Sequence, residues 1–110
     1  MIKRRMPLLL FEDVDEAAKY LAENNPDSIL LDGLDQAFLG VAESAGELPV
    51  ALYDQRKILE ILVHVDGMSY DQAVEHFYYN IYGLKVSNGS PRFLYGMSNS
   101  CLYRGDKLGI

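Results

Sequence analysis

Two histidines, one cysteine and a group of phenols and amides are the side chains here that could do chemistry. His64 and His76 each fall on a predicted helix. Neither has a second His, a Cys or a carboxylate at metal-ligand spacing, and Glu75-His76 does not extend into a His-Glu-x-x-His pattern. Beside a carboxylate, either imidazole would serve as a general base. Without one, a structural or surface role is the expectation. Cys101, in Ser98-Asn99-Ser100-Cys101, lacks the tight-turn signature of an activated nucleophile. The nine glycines are dispersed, with no Gly-x-Gly-x-x-Gly and no Walker lysine. Asp13-x-Asp15 lacks the remaining ligands of a calcium loop. No catalytic residue, metal ligand or cofactor is therefore assigned.

The candidate binding residues are Tyr53, Asp54, Tyr78, Tyr79, Asn80 and Tyr82. Asp54 is placed to cap a helix, which would stabilise it by about 1 kcal/mol. Asn80 lies near a helix end among Phe77, Tyr78, Tyr79 and Tyr82. In such a setting an amide either closes the helix backbone or orients a small ligand in an aromatic pocket. Tyrosine, present in eight copies, is also a favoured interface residue.

Four amphipathic segments must position these groups. In residues 13–24, Val14, Ala17, Ala18 and Leu21 form one apolar stripe, closed by Asn24-Asn25-Pro26. In residues 34–45, Leu34, Ala37, Phe38, Val41, Ala42 and Ala45 hold a 3.6-residue period, and Gly40 within them suggests close packing. After a strand at Val50-Ala51-Leu52-Tyr53, a third helix runs from Asp54 to about Val65, apolar around much of its circumference and so expected to be central, with Arg56 and Glu60 paired on its surface. Ser69 and Gln72 form a capping box before a fourth helix reaching about Tyr82, with Tyr70, Ala73, Val74, Phe77 and Ile81 as its buried stripe. Leu84-Lys85-Val86 and Arg92-Phe93-Leu94-Tyr95 read as strands of a C-terminal hairpin across Ser87-Asn88-Gly89-Ser90-Pro91. Ser28-Ile29-Leu30-Leu31 reads as a short strand or the approach to the next helix. The expected fold is α+β, about four helices on a small sheet of two to four strands. It forms one domain over residues 1–110, with 96–110 a tail or loose edge.

Charge narrows the partners. Residues 12–75 carry fifteen acids against three bases, whereas the two flanks carry seven bases and one acid. Nonspecific nucleic-acid binding needs a basic face and is not expected. An acidic surface suits a basic protein partner, and an acidic decoy that imitates DNA is its extreme form. No apolar run approaches the roughly 20 residues of a membrane helix. Lys3-Arg4-Arg5 and the following Met6-Pro7-Leu8-Leu9-Leu10-Phe11 resemble a leader, but the apolar part is short and acids follow at once. With a single cysteine, a cytoplasmic setting is expected.

The stretch from Leu34 to about Phe93 resembles a family of small uncharacterised proteins of bacteriophages and some prokaryotes. The resemblance rests on the segment around Gly40, Pro49-Val50-Ala51-Leu52-Tyr53-Asp54 and Lys57-Ile58-Leu59-Glu60. It continues in Asp66-Gly67-Met68-Ser69-Tyr70-Asp71-Gln72-Ala73, Phe77, Asn80-Ile81 and Gly83. Ser87-Asn88-Gly89-Ser90-Pro91 departs from the family's Gly-Glu turn before Thr-Pro. The resemblance implies a viral or mobile-element origin, with the host cytoplasm as the place of action, and no mechanism. Two functions remain open at this level. One is a non-enzymatic accessory protein that binds a host or viral protein, or a second copy of itself, through an acidic, tyrosine-rich surface. The other is a small-ligand binder or small enzyme built on Tyr53, Asp54, Tyr79 and Asn80.

Overall fold

The computed structural model describes residues 11–84 and 88–96. Among these described residues the architecture is α+β: three α-helices, the last continuing into a π turn, around a three-stranded mixed sheet. Helix α1 spans Val14–Asn24. The Asp13 carboxylate starts it by accepting from the Glu16 N–H at 2.9 Å. Ala17 and Leu21 are its buried residues, and it packs on the first strand.

Residues 34–45, expected as a helix, instead form a 3₁₀ turn over Asp35–Ala37 and strand β1, Phe38–Ala42. Strand β2, Val50–Asp54, as expected from its sequence, pairs with β1 antiparallel: Phe38 opposite Tyr53, Gly40 opposite Leu52, Ala42 opposite Val50. Leu39 is the extra residue of a bulge, and Gly40 follows it with φ of +146°. That backbone suits glycine and no helix interior, so Gly40 marks the bulge. A Cβ there would meet nothing within 4 Å, which removes close packing as its reason. The apolar spacing fitted a helical period, but an adjacent strand that could satisfy the backbone decided the conformation.

Helix α2, Gln55–His64, follows β2 without a loop because Asp54 caps it, accepting from Arg56 N and Lys57 N. Five of its ten residues are buried, Ile58 completely, which makes it central. Helix α3, Tyr70–His76, opens on the expected capping box: Ser69 Oγ accepts from Gln72 N, and Gln72 Oε1 accepts from Ser69 N. α3 packs against α2.

Strand β3, Arg92–Leu94, pairs with β2 in parallel, Tyr53 opposite Phe93, and so gives the sheet order β1-β2-β3. Its partner is β2, reached through α2 and α3; the first strand of the expected hairpin, at Leu84-Lys85-Val86, falls mostly outside the described residues. Lys85, Val86 and Ser87 lie outside the described residues, as do residues 97–110. Residues 28–31 form no strand; Ile29 N donates to Gly89 O at 2.9 Å, and Leu31 enters the core. The core joins Leu21, Leu31, Leu34, Tyr53, Ile58, Leu62, Phe77 and Ile81.

Candidate functional site

The segment with most of the candidate residues is a single helical rod of two kinds. α3 is α-helical to His76, and Phe77–Ile81 is a π turn in which Tyr82 N donates to Phe77 O at 2.7 Å. Such turns are uncommon and recur at functional sites. Phe77 and Ile81 face the core, while Tyr78, Tyr79 and Asn80, the three residues between them, are exposed. Phe77 anchors the turn, edge-on to Phe93 at 5.1 Å and to Tyr78 at 5.0 Å. Tyr78 in turn meets Tyr82 at 5.2 Å. The nearly buried Gln55 amide donates to Tyr78 Oη at 3.0 Å, so α2 sets the orientation of this ring.

Tyr70 is also outside, at 64% exposure, although its spacing placed it in the buried stripe. Ala73, Phe77 and Ile81 hold that stripe, and Tyr70 as the first helical residue lies where α3 has just left the capping turn. With Tyr95 it borders a groove between α2 and α3 of about 440 Å³, lined further by Leu59, Val63, His64, Val74 and Tyr78. On the outer side of α3 a shallow hollow of about 590 Å³ is lined by Tyr70, Asp71, Gln72, Val74, Glu75, Tyr78 and Tyr79. Tyr70 and Tyr78 border both, so the exposed tyrosines form a continuous face. Around the helix, Met68, Gln72, Glu75, His76, Tyr79 and Asn80 line a third, more polar hollow of about 550 Å³. There the Asn80 amide nitrogen lies 3.1 Å from His76 Nδ1.

Tyr53 and Asp54 do not join this face. Tyr53 is 1% exposed, its ring edge-on to Phe38 and its hydroxyl accepting from Leu31 N at 2.8 Å. Burial pushes its phenol above the ordinary value; the Leu31 N–H opposes this, and the nearby Asp35 and Asp32 add to it. Asp54 is engaged as the cap of α2. The four-residue neighbourhood expected for a ligand thus separates into a core tyrosine, a cap, and an outer pair, Tyr79 and Asn80.

His64 lines the α2–α3 groove, where Arg56 and Glu60 form the expected pair at 3.8 Å and Lys57 adds a second at 3.6 Å. Cys101 lies outside the described residues. Among the described residues, no three His, Cys, Asp or Glu side chains are grouped to hold a metal ion. No helix among them is long and apolar enough to cross a membrane.

One buried polar residue gave no sequence cue beyond closing a helix. Asn25 is 0% exposed and donates through Nδ2 to Pro49 O at 2.9 Å and Asn88 O at 2.7 Å. It joins α1, the start of β2 and the approach to β3, and so has a structural role. Tyr20 likewise makes a tertiary bond, donating to the Glu43 carboxylate at 2.6 Å, and that bond raises its phenol above the ordinary value. Comparison of the chain with protein-family models, with curated proteins and with solved structures finds no match.

Proposed function

We propose that this chain is a non-enzymatic accessory protein, of bacteriophage or mobile-element origin, that binds a protein in the host cytoplasm through the tyrosine-bearing face of α3 and the π turn. The observation that supports it most is the exposure of Tyr70, Tyr78, Tyr79, Tyr82 and Tyr95 around one helical rod. Large rings held in water expose apolar area that a partner would cover, and tyrosine loses little conformational entropy when it does so. Gln55 and Phe77 hold Tyr78 in place, so part of the face is preorganised. The origin rests on the family resemblance alone.

The test compares the wild-type chain with a Tyr70→Ser, Tyr79→Ser double variant of matched melting temperature. Proteins co-purifying from the natural host are quantified, and self-association is followed by light scattering. A partner or dimer that the variant loses supports the proposal. A partner that both retain equally, or strict monomers with no partner, overturns it.

The paired His76 and Asn80 in their polar hollow support a second proposal, a small-ligand binder acting without Tyr53 and Asp54. A metabolite or nucleotide raising the melting temperature of the wild type but not of Asn80→Ala would favour it.

A further inference from the structure

We infer that the protein partner presents a basic segment, laying arginine or lysine side chains along the outer side of α3. This rests on the proposed use of the tyrosine face and specifies what that face recognises. Side chains four apart share one face of a helix. Two such rows run side by side here. Tyr70, Val74 and Tyr78 make one, and Asp71, Glu75 and Tyr79 make the other, together lining the 590 Å³ hollow. All but Val74 are exposed.

The two rows suit one kind of side chain. A guanidinium or ammonium is attracted to the face of a tyrosine ring and forms charge-assisted hydrogen bonds with a carboxylate. The flat guanidinium can stack on a ring while its edge meets the acid. The acids are available for this. Among the described residues, Arg56 and Lys57 lie against Glu60 and Arg92 against Glu47, whereas Asp71 and Glu75 have no basic group within ion-pair distance. The surrounding field has the same sign: the described residues hold fifteen acids against Lys19, Arg56, Lys57 and Arg92. An apolar partner would bury both carboxylates unpaired, which is costly. A nucleic acid would bring phosphates against them. A second copy docking by the same face would add two more carboxylates and bring no basic group to meet them.

The experiment titrates the full chain into three labelled peptides of equal length by fluorescence anisotropy. One alternates Arg with Gly and Ser, one has Glu for each Arg, and one has Leu. Variants are Asp71→Asn with Glu75→Gln, Tyr70→Ser with Tyr79→Ser, and Glu12→Gln with Glu23→Gln, which removes the same charge from α1 and its approach. Circular dichroism confirms that each is folded. The expected result is saturable binding of the Arg peptide alone, weakening steeply with salt. The two α3 double variants each lose about tenfold in affinity and the α1 variant much less. Equal loss in the α1 and α3 acid variants would mean a diffuse field and overturn the inference, as would no binding of the Arg peptide. If the Leu peptide binds and only the tyrosine variant abolishes it, the inference falls while the proposed tyrosine interface stands.

Discussion

Asn25 and its surroundings use polar groups in the opposite way from the outer side of α3. Around Asn25, Nδ2 reaches Pro49 O and Asn88 O, Ser28 N reaches Asn25 O and Ile29 N reaches Gly89 O. Three backbone segments, residues 25–29, Pro49 and residues 88–89, are drawn together over a residue with no exposure. On α3 the rings and carboxylates point outward, with Tyr79 at 78% exposure. A buried donor holds its value only while its partners remain, so the Asn25 region must be intolerant of change. The α3 face makes few demands on the fold, which leaves its residues available for contact with something else.

The largest effect should come from Gly89→Ala. A Cβ there would lie 1.9 Å from the Asp27 carbonyl oxygen, a backbone atom that cannot swing aside. Residues 27–29 and 88–89 must part, breaking the Ile29–Gly89 hydrogen bond, at a cost of about 3 kcal/mol or more. Thermal denaturation should show a melting point lower by about 10 °C or more. A near-native melting point would show that the two segments part easily and that the contrast is false.

Asn25→Ala should cost about 2 kcal/mol in denaturant titration, because the Pro49 and Asn88 carbonyls lose their donor. The loss stays moderate because Oδ1 of Asn25 has no partner among the described residues, and its removal relieves that burial.

Tyr53→Phe should cost about 1–2 kcal/mol by leaving the Leu31 N–H without its acceptor. It also carries a pH signature. The folded phenol ionises above the ordinary value of 10.0, so the unfolded chain loses its proton first. Its stabilising contribution is intact below that pH and declines as pH rises through the folded value. Between pH 8 and 11 the wild type should therefore lose more stability than the Phe variant. Parallel curves would show that Tyr53 ionises equally in both states.

Tyr79→Ser should change stability least, within about 0.5 kcal/mol, because the ring is solvated. A loss as large as that of Asn25→Ala would make the α3 face part of the scaffold and remove its claim as a binding surface.

Much of the scaffold was legible locally. Asp13, Asp54 and Ser69 announce helix starts because a short polar side chain can reach N–H groups two or three residues ahead. The β2 run and the apolar α2 were equally plain. Of the candidate site, Tyr78, Tyr79, Asn80 and Tyr82 fall together on one rod, while Tyr53 lies apart in the core; an aromatic next to a cap reads the same in sequence whether its hydroxyl meets water or a buried N–H.

What sequence spacing could settle was whatever is closed within one helical turn: caps, breaks, and the inward stripe of α1 and α2. Whether residues 38–42 coil or extend depended on β2 offering hydrogen bonds from across a loop. The parallel seat of β3 and the burial of Asn25 likewise come from groups that meet in space and not along the chain. Their partners lie tens of residues away, and a local pattern contains no term for them.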